Sequence, residues 1–238
     1  MNSKVIRRLE IFYESMMEYG QAWELQKTAV AQIDAGTRPE RLLLMQHPPT
    51  YTIGSQNHPE HLLLDSAQLK ERGITLFEID RGGDITYHGP GQLVGYPLLK
   101  LGEEGRVDLH GYLRSLEAVV IEYLASCGIE ADRKPEYTGV WVGDRKICAI
   151  GVKFNKAKSS RGFITSHGFA LNVKAGIAEH GFAGIIPCGI SDYGVTSLEE
   201  CSGRRVEVRE VAEALLPFFL QEFGCEAGQA PLLSIREE

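Results

Sequence analysis

The chain has little that would mark an extracellular, metal-held or nucleic-acid-binding protein. Its 238 residues include five cysteines, Cys127, Cys148, Cys188, Cys201 and Cys225, with no CxxC pair and no zinc-finger spacing. An odd count without paired spacings argues against a disulfide framework and points to a reducing compartment. Positive charge is scarce. Lys and Arg number 25 against 32 Asp and Glu, a net charge of −7, so no broad basic field exists to hold a phosphate backbone, and nucleic acid is not an expected partner. No apolar run approaches a membrane span. Met1 to Glu10 is charged and no signal-peptide core follows it, so a cytoplasmic protein is expected. His88 and His167 form neither an HExxH nor any close metal pair. There is also no GK[ST] phosphate loop and no GxGxxG. Neither a metal nor a cofactor is expected. Without repeats, low-complexity tracts or linkers, residues 1–238 read as one domain.

What is present is an ordinary globular composition, 43% hydrophobic and 24% charged, long enough to bury a core without staples. Tyr13 to Ala35 reads as an amphipathic helix ended by Gly36. Arg41 to Gln46 and Thr50 to Ile53 read as strands on either side of Pro48-Pro49. Asp65 to Arg72 is a short helix, and Ile74 to Ile79 is β-like. The glycine-rich stretch Arg81 to Gln92 reads as a loop between strands, the second being Leu93 to Leu101. Asp108 to Cys127 is a helix stopped by Gly128. Gly139 to Val152 reads as a hairpin turning at Gly143-Asp144, and Gly162 to Val173 as a further strand. Val206 to Phe223 is a late helix with a bend expected at Pro217. Strands in hairpin-like groups, with helices at the ends and middle, predict an α+β fold, a mixed β-sheet flanked by helices.

Four places carry side chains able to do chemistry. In Arg81 to Gln92, glycines let a ligand or another strand approach the backbone, and Arg81 and His88 add polar groups; a tight bulged turn is the plainer alternative. Cys188 follows Pro187 and precedes Gly189, a context that can hold a thiol on a rigid turn, although a free cysteine is commonly a small buried hydrophobe. Lys146 follows a hairpin turn, where basic residues are usually solvated. Strand alternation would put it on one face with Cys148, Ile150 and Val152. A neighbouring ammonium lowers a thiol's pKa. His167, in a strand-like segment, reads as structural or as half of a Cys/His pair.

Taken together, RGGDITYHGPGQLVGYPLLKL (81–101), GVWVGDRKICAIGVK (139–153), SHGFALNV (166–173) and IIPCGISDYGVTSL (185–198) resemble the octanoyl-[acyl carrier protein]:protein octanoyltransferase family, also called lipoate–protein ligase B. The likeness runs from about Tyr13 to about Phe223. It implies the fold of the biotin– and lipoate–protein ligase catalytic domain. It implies an acyl-binding tunnel lined by Arg81, Gly82, Gly83, Asp84, Ile85, Thr86, Tyr87 and His88, by Ala149, Ile150 and Gly151, and by Gly168, Phe169 and Ala170. His88 and His167 fall on family histidines near the site. Cys188 is then the acyl-carrying nucleophile and Lys146 the partner that lowers its pKa. The implied donor is octanoyl-acyl carrier protein. The implied acceptors are lipoyl domains of 2-oxoacid dehydrogenases and the glycine cleavage H protein. An ATP-dependent lipoate ligase and a non-catalytic carrier- or lipoyl-domain-binding protein are the alternatives. The segment Lys153 to Arg161 is longer than the usual link and holds four basic residues and no acid. It is expected to help dock an acidic carrier.

Overall fold

In the computed structural model, which describes residues 7–102, 107–186 and 193–228, alternating apolar side chains build two sheets. The chain opens with β1 (Arg7–Glu14), α1 (Tyr19–Asp34), β2 (Glu40–Met45) and β3 (Thr50–Ile53). A 3₁₀ turn (Pro59–His61) leads to α2 (Ser66–Glu71), β4 (Thr75–Glu78), β5 (Ile85–His88), β6 (Gln92–Leu98) and β7 (Lys100–Leu101). Then come α3 (Leu109–Ser126), β8 (Asp132–Lys134), β9 (Tyr137–Val142), β10 (Arg145–Lys156) and β11 (Phe163–Asn172). The described chain ends with α4 (Ile177–His180), β12 (Gly194–Val195), α5 (Leu198–Ser202), α6 (Val208–Glu222) and β13 (Cys225–Ala227). The large sheet runs β13-β1-β2-β6-β11-β10-β9-β8, with β12 paired to β10 and β7 to β11; the small one runs β4-β3-β5. Parallel pairs (β1 with β2 and β13, β10 with β12) sit beside antiparallel ones. The architecture is therefore the expected α+β arrangement of mixed sheet and flanking helices.

The helices take opposite faces of the large sheet. Leu42, Leu44, Leu93, Phe169 and Leu171 pack with Leu116, Val120 and Leu124 of α3 and Val211 and Leu215 of α6. Their strand neighbours Leu43, Met45, Val94 and Ala170 pack with Ala22, Ala29 and Ile33 of α1. The small sheet has its own core, in which Tyr51, Ile53, Ile85 and Tyr87 meet Leu69, Ile177 and Phe182. Glu117, fully buried on α3, ties that helix to the hairpin by accepting from Arg114 (2.7 Å), Arg133 (2.9 Å) and the Gly139 N–H (3.0 Å).

Two elements differ from the sequence expectation. The first helix begins at Tyr19, because Tyr13 and Glu14 close the edge-proximal strand β1, where Leu9, Ile11 and Tyr13 are buried and the residues between them are not. The glycine-rich stretch contains a true strand, β5, antiparallel to β3. The late helix is as expected, α6 running over Val208–Glu222 with Pro217 inside it.

Candidate active site

Between the two sheets lies a cavity with an open mouth. Its walls come from Arg81, Gly82, Gly83, Thr86 and His88, from Ala149, Ile150 and Gly151 of β10, and from His167, Gly168, Phe169 and Ala170 of β11. Sequence reasoning missed Tyr19, Val94, Tyr96 and Thr138, which complete the lining together with Lys146. Tyr19 sits at the first turn of a helix that reads as merely amphipathic, so only its burial gives it away. Close backbone approach makes the walls. The Gly82 N–H donates to Val152 O (2.9 Å), and a Cβ on Gly151 would lie 3.0 Å from Gly82 O. Arg81 is buried, with Nη2 donating to Thr52 O (2.8 Å) and Oγ1 (2.9 Å).

Three residues expected to line the tunnel do not line this cavity. Alternation along β5 sends Thr86 and His88 inward and Ile85 and Tyr87 into the small-sheet core. Asp84 turns away, buried, to accept from His61 Nδ1–H, and from the His58 N–H at 3.4 Å. It thereby braces the 3₁₀ turn whose His61 carbonyl accepts from the Ile186 N–H (2.8 Å).

Lys146 reaches the cavity by a route that simple alternation does not give. Lys146 pairs with Trp141 but Cys148 with Val140, a β-bulge. Consecutive Ile147 and Cys148 both point into the α3/α6 core, so the expected common face of Lys146 and Cys148 is broken. The extra residue turns Lys146 to the opposite side, where it is 8% exposed, lines the cavity and lies 4.8 Å from the Trp141 ring. Burial pushes the Cys148 thiol well above the usual thiol value, keeping it an inert core group.

The histidines around the cavity are held in defined tautomers. Gln92 Nε2 donates to Asn172 Oδ1 (2.9 Å) and Tyr87 O (3.2 Å), so its Oε1 accepts from His88 Nδ1–H (2.8 Å). His88 Nε2 is left as an acceptor. His47 donates from Nδ1 to Met17 O (2.7 Å) and accepts from the Tyr96 hydroxyl at Nε2 (2.7 Å). Burial lowers both, His47 to about 4. His167 is 2% exposed, has a left-handed φ of 56°, and meets Asp80 Oδ1 through Nε2 at 2.9 Å. The register pairing Phe169 with Gly95 and Ile164 with Lys100 puts Pro97 opposite His167. Pro97 has no N–H to give, and its carbonyl accepts from Thr165 Oγ1 (2.6 Å). The freed His167 N–H donates instead to buried Gln26 Oε1 (2.8 Å). Gly168 is required next: a Cβ there would fall 2.1 Å from Gly95 O.

Cys188 lies outside the described residues. The chain before it is bonded to the 3₁₀ turn, and the chain after it returns as Gly194–Val195, paired with Arg145 and Lys146. Among the described residues, no cluster of three His, Cys, Asp or Glu side chains is arranged to hold a metal ion.

Comparison with known proteins finds relatives over most of the chain. Residues 18–220 match the family described as lipoyl protein ligase A/B catalytic domain. Curated relatives include an octanoyltransferase of Rubrobacter xylanophilus, 48% identical over 73% of both chains. Another is an octanoyltransferase of Syntrophotalea carbinolica, 49% identical over 69% of this chain and 72% of its own. Among solved structures, lipoate-protein ligase A bound with ATP superposes with a TM-score of 0.71 at 16% identity, covering 98% of this chain and 90% of that one. A chain from a structural analysis of a bi-partite lipoate protein ligase and its E2 lipoyl domain from Thermoplasma acidophilum gives 0.68 at 18%, covering 98% and 88%. At such identities the two structures bear on the fold alone.

Proposed function

The chain belongs to the lipoyl protein ligase A/B catalytic domain family and is an acyltransferase of its octanoyltransferase branch, and on that premise we propose that it carries octanoyl as a thioester on Cys188. The donor in this reading is octanoyl-acyl carrier protein. The acceptors are lysines of lipoyl domains in 2-oxoacid dehydrogenases and in the glycine cleavage H protein, and the setting is the cytoplasm. The observation that carries the reading is Lys146, the cation that the β10 bulge turns into a largely apolar cavity beside the strand returning from the Cys188 segment.

In the first step the Cys188 thiolate attacks the carrier's thioester. A C–S bond forms, another breaks, and the carrier thiolate leaves, a near-balanced exchange. In the second step an acceptor lysine nitrogen attacks, an amide forms and Cys188 is released. Because the donor is already activated, no ATP enters. A free thiol has a pKa of about 8.5, so the Lys146 ammonium raises the reactive thiolate fraction at neutral pH. Phe169, Val94, Ile150 and Ala170 offer the apolar walls an eight-carbon chain needs. The ATP-dependent ligase reading is disfavoured because the relatives near 48% identity are octanoyltransferases, whereas the ligases are matched at 16–18%.

Mixing the protein with octanoyl carrier protein, without acceptor or ATP, is expected to add one octanoyl mass. The adduct should map to the Cys188 peptide and be released by hydroxylamine. Cys188→Ala is expected to form no adduct and to lose nearly all turnover. A Cys188→Ala enzyme that transfers octanoyl at the native rate sinks the thioester mechanism.

A further inference from the structure

A lysine head sits on a flexible four-carbon stem, so an ammonium that is to act at one point of a cavity wall needs something to hold it there. Nothing in the transferase reading assigns that role.

We infer that Trp141 is the positioning residue of Lys146: its indole face seats the ammonium, and the side chain absent at Gly139 makes room for the stem. The inference rests on the reading of Lys146 as the cation that activates the thiol, but the seat itself is independent of that reading. Lys146 and Trp141 are paired across β10 and β9, so their side chains stand on one face. Lys146 Nζ lies 4.8 Å from the ring centroid, inside the roughly 6 Å reach of a cation–π contact, which is strongest over tryptophan and gains when the partners are out of water. Trp141 is 2% exposed. Its neighbour Val140 points into the α3/α6 core, so alternation gives Gly139 the same face as Trp141. Gly139 has a φ of 134°, and a Cβ there would lie 3.5 Å from Lys146 Cε and 2.6 Å from Cys148 O. The stem thus crosses β9 where no side chain stands. Buried Glu117 fixes that point by accepting from the Gly139 N–H at 3.0 Å.

The ring is held by aromatic neighbours. Tyr193, one residue ahead of β12, meets it edge-on at 5.4 Å and 72°, and Tyr137 lies at 6.0 Å. The indole N–H is buried with no hydrogen-bond partner among the described residues, so packing sets the ring's orientation. Trp141 stands outside the cavity lining and reaches the reaction through Lys146. The charged and titratable groups around the seat are Lys134 of β8 and Asp132, paired opposite Trp141, with Asp144 of the β9–β10 turn, Tyr137, Tyr193, Cys148 and Glu117. Lys134, 5.4 Å from the same indole and 4.2 Å from the Tyr193 ring, is balanced by Asp144 at 2.8 Å.

Proton NMR of protein carrying ¹³C-labelled lysine reads the seat directly, because a group over an indole face is shifted upfield by the ring current. The Lys146 ε-methylene signal, assigned by its loss in Lys146→Met, is expected upfield of an exposed lysine's in the native protein. In Trp141→Leu it should fall at the exposed position, and in Trp141→Phe between the two. Octanoyl transfer to a lipoyl domain is expected to slow about tenfold in Trp141→Leu, with KM for the carrier unchanged, and to stay within about threefold of native in Trp141→Phe. The Cys188 alkylation profile should move to higher pH in Trp141→Leu. In a Lys146→Met background the same change should add nothing, since residues that act as a unit are not additive. A Lys146 signal unmoved by Trp141→Leu overturns the inference. So does an equal loss of transfer in the native and Lys146→Met backgrounds, which would make Trp141 a packing residue. If Trp141→Leu does not fold, Trp141→Phe carries the comparison, and a signal at the native position there overturns the inference. A Lys146→Met protein with the native alkylation profile overturns the reading of Lys146 instead, while the NMR signal still decides the seat.

Discussion

At the scale of single residues, the site turns on where one extra backbone atom set is spent. Without the bulge at Ile147, Lys146 would follow Cys148 into the α3/α6 core, where an ammonium has no place. With it, the cation faces the cavity. Lys146→Ala is therefore expected to move the alkylation profile of Cys188 to higher pH by about one unit and to cut acyl transfer severely. Lys146→Arg keeps the charge but brings a bulky planar head that cannot readily lose a proton, and should restore the profile better than the rate. Identical alkylation profiles for Lys146→Ala and native protein would end the electrostatic role. The importance of Lys146 was legible in the sequence through family resemblance, but its face was not. A bulge depends on what the partner strand allows, and nothing in RKICAIG announces it. Ile85 and Tyr87 teach the converse lesson, since alternation along ITYH already divides them from Thr86 and His88 once the stretch is read as a strand.

At the scale of elements, the β10–β11 hairpin tip shows how a charge strip is held in place. Asp34, at the end of α1, accepts from the Lys158 N–H (3.0 Å), the Ser159 N–H (3.1 Å) and Ser159 Oγ (2.7 Å). These bonds also hold the Asp34 carboxyl below the usual carboxylate range, Ser159 Oγ contributing most. They involve backbone and serine, so the Lys156 and Lys158 side chains stay exposed and free to meet a partner. Lys27 and Lys153 line the same groove between α1 and β10. Reversing Lys156 and Lys158 to Glu should leave the melting temperature unchanged, raise KM for an acidic carrier roughly tenfold at low salt, and flatten its salt dependence. An unchanged KM at low salt removes the docking role. The strip was visible in composition, whereas β1 was not. Its buried positions Leu9, Ile11 and Tyr13 carry a period of two, masked by apolar Phe12 among them and by charged Arg7, Arg8, Glu10 and Glu14, and helix periodicity downstream absorbs Tyr13. The hairpin over 139–152 and the helix over 108–127 were legible because each carries its own stop signal. The edge strands β8 and β13, three residues each, carry none.

At the scale of the whole molecule, the cavity couples chemistry to stability, because the same burial that keeps imidazoles neutral makes the fold sensitive to acid. His47, His88 and His167 all have pKa values lowered chiefly by desolvation. Unfolded, each would titrate near 6.5. Below that pH the unfolded chain binds protons that the native state refuses. Stability from these groups is thus full above about pH 6.5 and is lost as pH falls through their depressed native values. For His47, native value about 4, the loss by pH 4 is about 3 kcal/mol at 1.36 kcal/mol per pKa unit. Asp80, whose carboxyl is held well below the carboxylate range by His167 and then Lys153, acts in the same direction at still lower pH. The melting temperature is accordingly expected to be level above pH 7 and to drop steeply between pH 6.5 and 4. His47→Gln can keep a bond to Met17 O or the Tyr96 hydroxyl without a titrating ring. It is expected to lower stability at pH 7 modestly and to reduce the acid slope by about one proton. Thermal melts of both proteins across pH 4 to 8 check this, and a variant slope equal to the native one would mean that His47 is already solvated, and protonated, in the folded state.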